Sequence, residues 1–315
     1  MRNRMYLKNM KFYDYPLKYN LDYLTGRGVK VSFGQITKNY TSFKIGGPAD
    51  VVITPRNNLE LKHTLDFLSE IVNLGINYHI IGGASNLLIA DEGIRGLVIR
   101  LCYISPIIYD GEYIWVSGAE PVSRIISYCS DQGFGGLEYL SGIPGTVGGS
   151  IIMNAGTNNE AIGHSVGHVH TWYSGEKEYI NKDLDFSYRH SILQKTNEIV
   201  TRVALKVKRE DSLRIIKRVR EFLLKRRKGQ PLTLPSAGSV FKNPPNYSAG
   251  QLLEEVGVKG LRVGGAQVSY THSNFIINID DASSYDVLKL IKLMQTAVQE
   301  KTDIVLEPEI IYIGG

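Results

Sequence analysis

Apolar positions recur along this chain with two different periods, and each change of period marks an element. Between 59 and 74, Leu61, Leu65, Leu68 and Val72 repeat at helical spacing. This predicts a helix with one buried face, capped by Asn58 and stopped by Gly75. From 121 to 132, Val122, Ile125, Ile126 and Cys129 repeat the pattern between Pro121 and Gly133, a second helix with a proline start and a glycine stop. Short apolar runs at 51–54, 78–81, 97–100, 113–117 and 200–207 read as strands, the first closed by Pro55. A basic helix after Arg209 carries Leu213, Ile216, Val219 and Leu223, one opens at Ser248 with Gln251 three residues on, and the last uses Val287, Leu290, Ile291, Met294 and Val298. A strand is expected at 275–278. Residues 304–313 read as a closing strand with Glu307, Glu309, Ile311 and Ile313 on one face, so that Glu309 shares that face with apolar side chains. The succession of strand, helix, strand and glycine turn predicts an α/β (α+β) chain, with a change of composition near Arg209.

Two stretches follow neither period. The strand at 78–81 runs straight into Gly82-Gly83-Ala84-Ser85-Asn86-Leu87. The helix stopping at Gly133 leads into Gly135-Gly136, then Ser141-Gly142-Ile143-Pro144-Gly145-Thr146-Val147-Gly148-Gly149, and on to Asn154-Ala155-Gly156. Glycine tolerates the dihedrals that turn successive backbone N–H groups toward one point, and such concavities bind phosphate. One such loop reads equally well as a tight turn; two point to the pyrophosphate of a dinucleotide. The chain has no G-x-G-x-x-G between a strand and a helix and no G-x-x-x-x-G-K-[ST], so the motifs of a Rossmann or P-loop site are missing.

Composition narrows the class. With 315 residues, 43% hydrophobic and 21% charged, the chain has the make-up of a soluble globular protein of about two domains, and no repeat or low-complexity tract interrupts it. A net charge of +5 favours anionic ligands without requiring nucleic acid. Cys102 and Cys129 form no metal spacing and suit a reducing compartment as free thiols. Residues 1–20 are basic and tyrosine-rich without an apolar stretch, and no run approaches the roughly 20 apolar residues of a membrane span, so a cytoplasmic location is expected. His164, His168 and His170 combine strand alternation with one loop position, which is not a metal triad, and no metal is expected. Lys225-Arg226-Arg227-Lys228 closes a helix, where cations complement the helix dipole.

Thr41–Asp50, Gly82–Leu87, Gly136–Gly156, Tyr188-Arg189, Ser236–Pro244 and Leu306-Glu307-Pro308-Glu309 together resemble the UDP-N-acetylenolpyruvoylglucosamine reductases, flavoenzymes of peptidoglycan precursor synthesis. The glycine loops are similar, more loosely, to a wider FAD-binding family of the vanillyl-alcohol oxidase or PCMH type. The serine segment and the terminal Leu-Glu-Pro-Glu are specific to the reductases. The resemblance implies a lead-in over 1–39, a two-lobed FAD-binding domain over 40–209 and a smaller α/β substrate-binding domain over 210–315. It implies non-covalent FAD, NADPH as co-substrate, and reduction of UDP-N-acetylglucosamine enolpyruvate to UDP-N-acetylmuramate. By resemblance, Ser239 is the proton donor, Arg189 meets the substrate carboxylate and enolate oxygen, and Glu309 stabilises the enol. Gly82, Gly83, Ala84, Ser85, Asn86, Leu87, Ser141, Gly142, Ile143, Gly145, Thr146, Gly148, Gly149, Asn154, Ala155 and Gly156 would hold the cofactor, and Tyr188, Lys242, Asn243 and His272 the substrate. His272 and Asn274, before the 275–278 strand, support the site.

Two features depart from the family pattern. Thr157-Asn158-Asn159 stand where the family often has a small residue and a tyrosine, and the short chain between Arg189 and the basic helix leaves no room for an inserted lid, which is similar to the lidless branch. The glycine loops alone also allow a flavin oxidase that takes electrons from a sugar or alcohol and passes them to oxygen, and the basic cluster alone allows a nucleic-acid binder. The resemblance implies a small-molecule partner, with neither nucleic acid nor membrane; it leaves the oligomeric state open, a monomer included.

Overall fold

The computed structural model of the chain describes residues 15–73, 76, 78–157 and 160–315. Of the lead-in, residues 1–14 lie outside the described residues, as do the expected stop at Gly75 and the departures at Asn158 and Asn159. The chain forms two compact units, the first from the residues up to Gly34 with Val51–Gly83 and Gly96–Leu223, the second from Gln35–Asp50, Ala84–Arg95 and Leu224–Gly315. Each unit is assembled from several stretches of the chain. Two early segments cluster with the C-terminal residues because they bond to them. Leu87–Ile89 pairs in parallel with Ile311–Ile313, Asn278 Nδ2 donates to Phe43 O at 3.1 Å, and Asp91 accepts from Ser284 N at 2.9 Å.

The first unit has two cores. Strands Lys30–Ile36, Pro48–Thr54, Ile94–Arg100 and Tyr78–Ile81 form a sheet in that order, the last two parallel. Helices α1 (Tyr15–Gly26) and α2 (Asn58–Asn73) contribute Leu21, Leu24, Leu61, Phe67, Leu68 and Ile71 to the core that also holds Val51, Ile53, Leu97 and Ile99. Helix α2 buries the expected Leu61 and Leu68, but Val72 is only half-buried. Its cap is Asn57 rather than Asn58, since Glu60 N–H donates to Asn57 Oδ1 at 2.9 Å.

The second core lies on an antiparallel sheet of Glu176–Ile180, Val166–Trp172, Ile199–Lys206, Tyr113–Ser117 and Ile108–Tyr109. Helix α3 (Val122–Gln132) buries Val122, Ile125, Ile126 and Cys129 as the sequence pattern requires, and Gly133 ends it at φ 70°. The short helix α4 (Val147–Ile152) brings Val147 and Ile151 to the same core. Helix α5 (Ser212–Gly229) is turned away from its expected face, with Ile215 buried and Val219 and Phe222 packed on the core while Leu213 is 75% exposed. The turn is set by Arg218, whose guanidinium reaches Glu138 Oε1 from Nε at 3.1 Å and Glu210 from Nη1 and Nη2 at 2.6 Å each. A helix interior cation that must meet two carboxylates fixes which stripe faces inward.

In the second unit, helices α6 (Ala249–Glu255) and α7 (Ser284–Thr302) pack with an antiparallel sheet of Arg262–Val263, Ala266–Val268 and Ile276–Asn278. Ser248 caps α6 by accepting from Gln251 N, and α7 buries Val287, Leu290, Ile291, Met294 and Val298 as expected. The core is completed by Phe43, Ile45, Leu88, Val240, Phe241 and Leu306. The closing strand is only Ile311–Ile313, with Ile311 41% exposed. Pro308 stands in an isolated bridge to Phe241 and Leu306 and Ile310 are the buried positions, so Glu309 does not share an apolar face with Ile311. Among the described residues no helix is long and apolar enough to cross a membrane.

Candidate active site

In the first unit the two glycine loops touch. A Cβ at Gly82 would lie 2.3 Å from Thr146 Oγ1, and one at Gly83 2.7 Å from Gly145 Cα, so only glycine permits this approach. Thr146 also caps α4 by accepting from Gly149 N at 3.4 Å. The second loop is anchored from behind, with Val147 N donating to Glu120 O at 2.9 Å, Gly148 N to Gly118 O at 2.8 Å, and Val122 N to Gly145 O at 3.1 Å. Gly142 and Gly145 have φ values of 76° and 110°. Ser141 is 2% exposed, and its Oγ has no hydrogen-bond partner among the described residues. A buried hydroxyl without a partner is costly unless a ligand supplies one. Close backbone approach together with this orphaned hydroxyl fits the phosphate-bearing cofactor expected from the sequence. Ile143 packs against the second core, Ala155 N donates to Ser150 O at 2.8 Å, and Gly156 pairs with Ala161.

The segment before the second loop is held by charge. Buried Glu138 accepts from Gly136 N at 2.9 Å and from Arg218, while Ser141 N donates to Glu138 O at 2.9 Å. The hydrogen bonds that Arg218 donates to Glu210 and Glu138 push its pKa upward.

Tyr188 and Arg189 form the tip of a tight turn closed by paired hydrogen bonds between Ser187 and His190. Arg189 has φ 53°, a left-handed backbone that costs a non-glycine residue of the order of 1–2 kcal/mol. The surroundings hold it there. Asn154 Nδ2 donates to Ser187 O at 2.7 Å, and Gln194 Nε2 donates to both Arg189 O at 2.9 Å and Ile152 O at 3.1 Å. Asn154, expected at the cofactor, thus has its amide on the arginine turn, with Oδ1 accepting from Gly163 N at 3.0 Å. Gln194 has no signature in the sequence. Tyr188 and Ser187 line a pocket of ≈560 Å³ together with Asn154, Gly163, His164, Val166, Asn181 and Phe186. The Arg189 guanidinium lies 5.3 Å from the Tyr188 ring centroid.

In the second unit three extended segments lie side by side, with Ser239–Lys242 in the middle. On one side Val240 N donates to Asn274 O at 2.9 Å, and Ser239 is bridged to Phe275. Asn274 is 3% exposed and its amide brackets Phe241, Oδ1 accepting from Phe241 N at 2.9 Å and Nδ2 donating to Phe241 O at 2.8 Å. On the other side Glu309 N donates to Val240 O at 2.7 Å and Lys242 N to Glu307 O at 2.9 Å. Ser239 and Glu309 thus belong to one bonded array, both half-buried. Lys242 Nζ pairs with Glu307 Oε1 at 2.6 Å, and Asn243 Oδ1 accepts from Ala249 N at 3.0 Å at the start of α6. His272 Nδ1 accepts from Asn274 N at 3.2 Å; burial, with Lys259 adding to it, lowers its pKa and favours the neutral ring. Ala84 to Leu87, the later half of the first glycine loop, belong to this unit. Ala84, at φ 47°, accepts from Ser42 N at 3.3 Å, and Asn86 Nδ2 donates to Glu309 O at 3.0 Å. The strand histidines His168 and His170 face Glu178 at 2.8 Å and 4.0 Å.

A profile of the UDP-N-acetylenolpyruvoylglucosamine reductase C-terminal domain matches residues 230–313, and one of an FAD binding domain matches 49–173. The chain is 41% identical over 288 residues to UDP-N-acetylenolpyruvoylglucosamine reductase of Moorella thermoacetica, covering 91% of this chain and 94% of that protein. To the enzyme of the same name from Bacillus subtilis it is 37% identical, covering 91% and 95%. The crystal structure of UDP-N-acetylenolpyruvylglucosamine reductase from Thermus caldophilus superposes with a TM-score of 0.76 at 36% identity, covering 91% of this chain and 99% of that one. Fold, cofactor-binding profile and full-length relatives agree, and this chain belongs to the UDP-N-acetylenolpyruvoylglucosamine reductase family.

Proposed function

We propose that this protein is an FAD-containing, NADPH-dependent reductase that converts UDP-N-acetylglucosamine enolpyruvate to UDP-N-acetylmuramate for peptidoglycan synthesis in the cytoplasm. The observation that carries this is the array in which the serine segment 239–242 is bonded to the Leu-Glu-Pro-Glu segment on one side and to Asn274 on the other. A general FAD-binding domain has no need of it. When bound, the flavin would supply the hydride chemistry, taking it from NADPH and giving it to the enolpyruvyl group. Gly82 to Leu87, Ser141 to Gly149 and Asn154 to Gly156 would hold the cofactor, with Ser141 Oγ as a side-chain donor to it. The FAD function is assigned to 40–209 and the substrate function to 210–315.

The chain's own residues then have distinct tasks. Ser239 Oγ holds the proton for the enolpyruvyl carbon, and a hydroxyl is a weak acid that needs a strongly basic acceptor. Arg189 is permanently charged, so its planar guanidinium suits the substrate carboxylate and the negative oxygen that develops beside it. Glu309 stabilises the enol, and Tyr188, Lys242, Asn243 and His272 contact the nucleotide sugar. The reading assigns neither nucleic acid nor membrane as a partner and leaves the oligomeric state open, a monomer included.

The test separates the half-reactions of a Ser239→Ala variant. Reoxidation by the enolpyruvyl substrate should slow at least ~100-fold more than reduction by NADPH, since one lost proton donor is worth about 10²–10⁴. Equal slowing of both steps would remove Ser239 from its role. The rival flavin oxidase predicts rapid turnover with oxygen and a sugar or alcohol in the absence of NADPH, and the reductase-type match over 230–313 favours the reductase.

A further inference from the structure

Both main-chain polar groups of Glu309 are engaged, and by different partners. Its N–H donates to Val240 O at 2.7 Å, within the serine segment, whereas its carbonyl accepts from Asn86 Nδ2 at 3.0 Å, within the first glycine loop. Asn86 also accepts from Ile311 N at 3.0 Å through its own backbone carbonyl, so it grips the chain on both sides of Ile310. Ile310 is 8% exposed and anchored in the core, and Leu87–Ile89 continues from Asn86 as a parallel partner of Ile311–Ile313. The position of Glu309 is therefore fixed by Asn86 to one side and Val240 to the other. A glycine loop needs only backbone groups to cradle phosphate, and here one of its side chains reaches away to the segment bearing the reacting carboxylate.

We propose that Asn86 is a positioning residue for Glu309, making the cofactor loop and the enol-stabilising carboxylate one mechanical element. This rests on the role given to Glu309 above. Losing the amide donor frees the Glu309 carbonyl to move and lets the 307–313 segment sample other positions. Asn86 then influences the substrate step through Glu309 as well as through any contact with the cofactor. Ordering of the loop when FAD binds would tighten the same segment, so FAD and the carboxylate would be coupled through a single side chain.

The test uses Asn86→Asp, which keeps the shape and replaces the donor with an acceptor; Asn86→Ala gives the same readouts should the added charge unfold the loop. Amide exchange over 305–313, measured on the apoprotein and on the FAD-loaded enzyme, should quicken about tenfold, the scale of one lost hydrogen bond, while α7 stays as protected as in the wild type. At saturating FAD, substrate reoxidation should slow about tenfold more than reduction by NADPH. In a Glu309→Gln background the same substitution should add less than about threefold, because the residue it positions has already lost its charge. Unchanged exchange over 305–313 overturns the proposal, as does equal slowing of both half-reactions or full additivity with Glu309→Gln. If the wild-type enzyme does not act on the enolpyruvyl substrate, the proposed function fails, and the apoprotein exchange still decides whether Asn86 holds Glu309.

Discussion

Replacing Arg218 by methionine removes the clamp on the entry to the second glycine loop while keeping most of the packed stem. The Glu138 side chain is 8% exposed and keeps its bond from Gly136 N, whereas Glu210 at 25% can turn to water. Breaking a fully buried pair costs about 3–5 kcal/mol. Arg218 itself is 37% exposed, so water already weakens the interaction, and about 2–3 kcal/mol is expected here. At about 2–4 °C per kcal/mol this lowers the melting temperature by roughly 4–12 °C. Glu138→Gln in the Arg218→Met background should recover about half of the loss, since no charge is then left buried. Because Ser141 N is held by Glu138 O, the variant should also bind FAD about tenfold more weakly, read by flavin fluorescence titration. A melting temperature within about 1 °C of wild type, or a double variant less stable than the single one, would show that Arg218 does not clamp the loop entry through Glu138.

Other outcomes follow from the same geometry. Arg189→Gly relieves a left-handed residue at φ 53°, so thermal unfolding should show no loss of stability while kcat/KM falls at least ~100-fold; reduced stability with activity retained would count against the assignment. Burial holds the His272 pKa below its ordinary 6.5, so its contribution to stability is complete above 6.5 and is lost as pH falls through the depressed value. His272→Asn keeps an acceptor for Asn274 N and removes the titration; melting curves about one pH unit either side of 6.5 should therefore converge for the variant and diverge for the wild type. Ser141→Ala removes an orphaned buried hydroxyl, so the FAD-free protein should be as stable as wild type or more so, and the stabilisation gained on adding FAD should shrink; a variant destabilised without FAD and equally stabilised by it would show that the hydroxyl is not aimed at the cofactor.

What could be read from the sequence is what local rules determine. The α3 pattern of Val122, Ile125, Ile126 and Cys129 with its Gly133 stop is complete within twelve residues, and the structure follows it. The face of α5 was not readable, because Arg218 is turned by Glu138, 80 residues away, and that pairing leaves Leu213 in water. The end of the chain misled for a similar reason. Alternation suggested one long strand, but Pro308 lacks an N–H and the pairing of Ile311–Ile313 is with Leu87–Ile89, so regular structure begins late. At the site, glycine density exposed both loops and the resemblance brought out Ser239, Arg189 and Glu309. The side chains that aim them are Asn86 on Glu309 and Asn154 on the arginine turn, which act across 223 and 33 residues, and Gln194, which bonds Arg189 O from five residues away at a position no periodicity marks.

On the proposed function, this one chain reduces a flavin with NADPH and passes the electrons to an enolpyruvyl nucleotide sugar. Anaerobic absorbance at flavin wavelengths tests it directly, with NADPH added to the FAD-loaded protein and UDP-N-acetylglucosamine enolpyruvate added after it. Bleaching by the first and recovery with the second is the predicted result. A flavin that NADPH leaves oxidised, or one that stays bleached in the presence of the enolpyruvyl substrate, would contradict it.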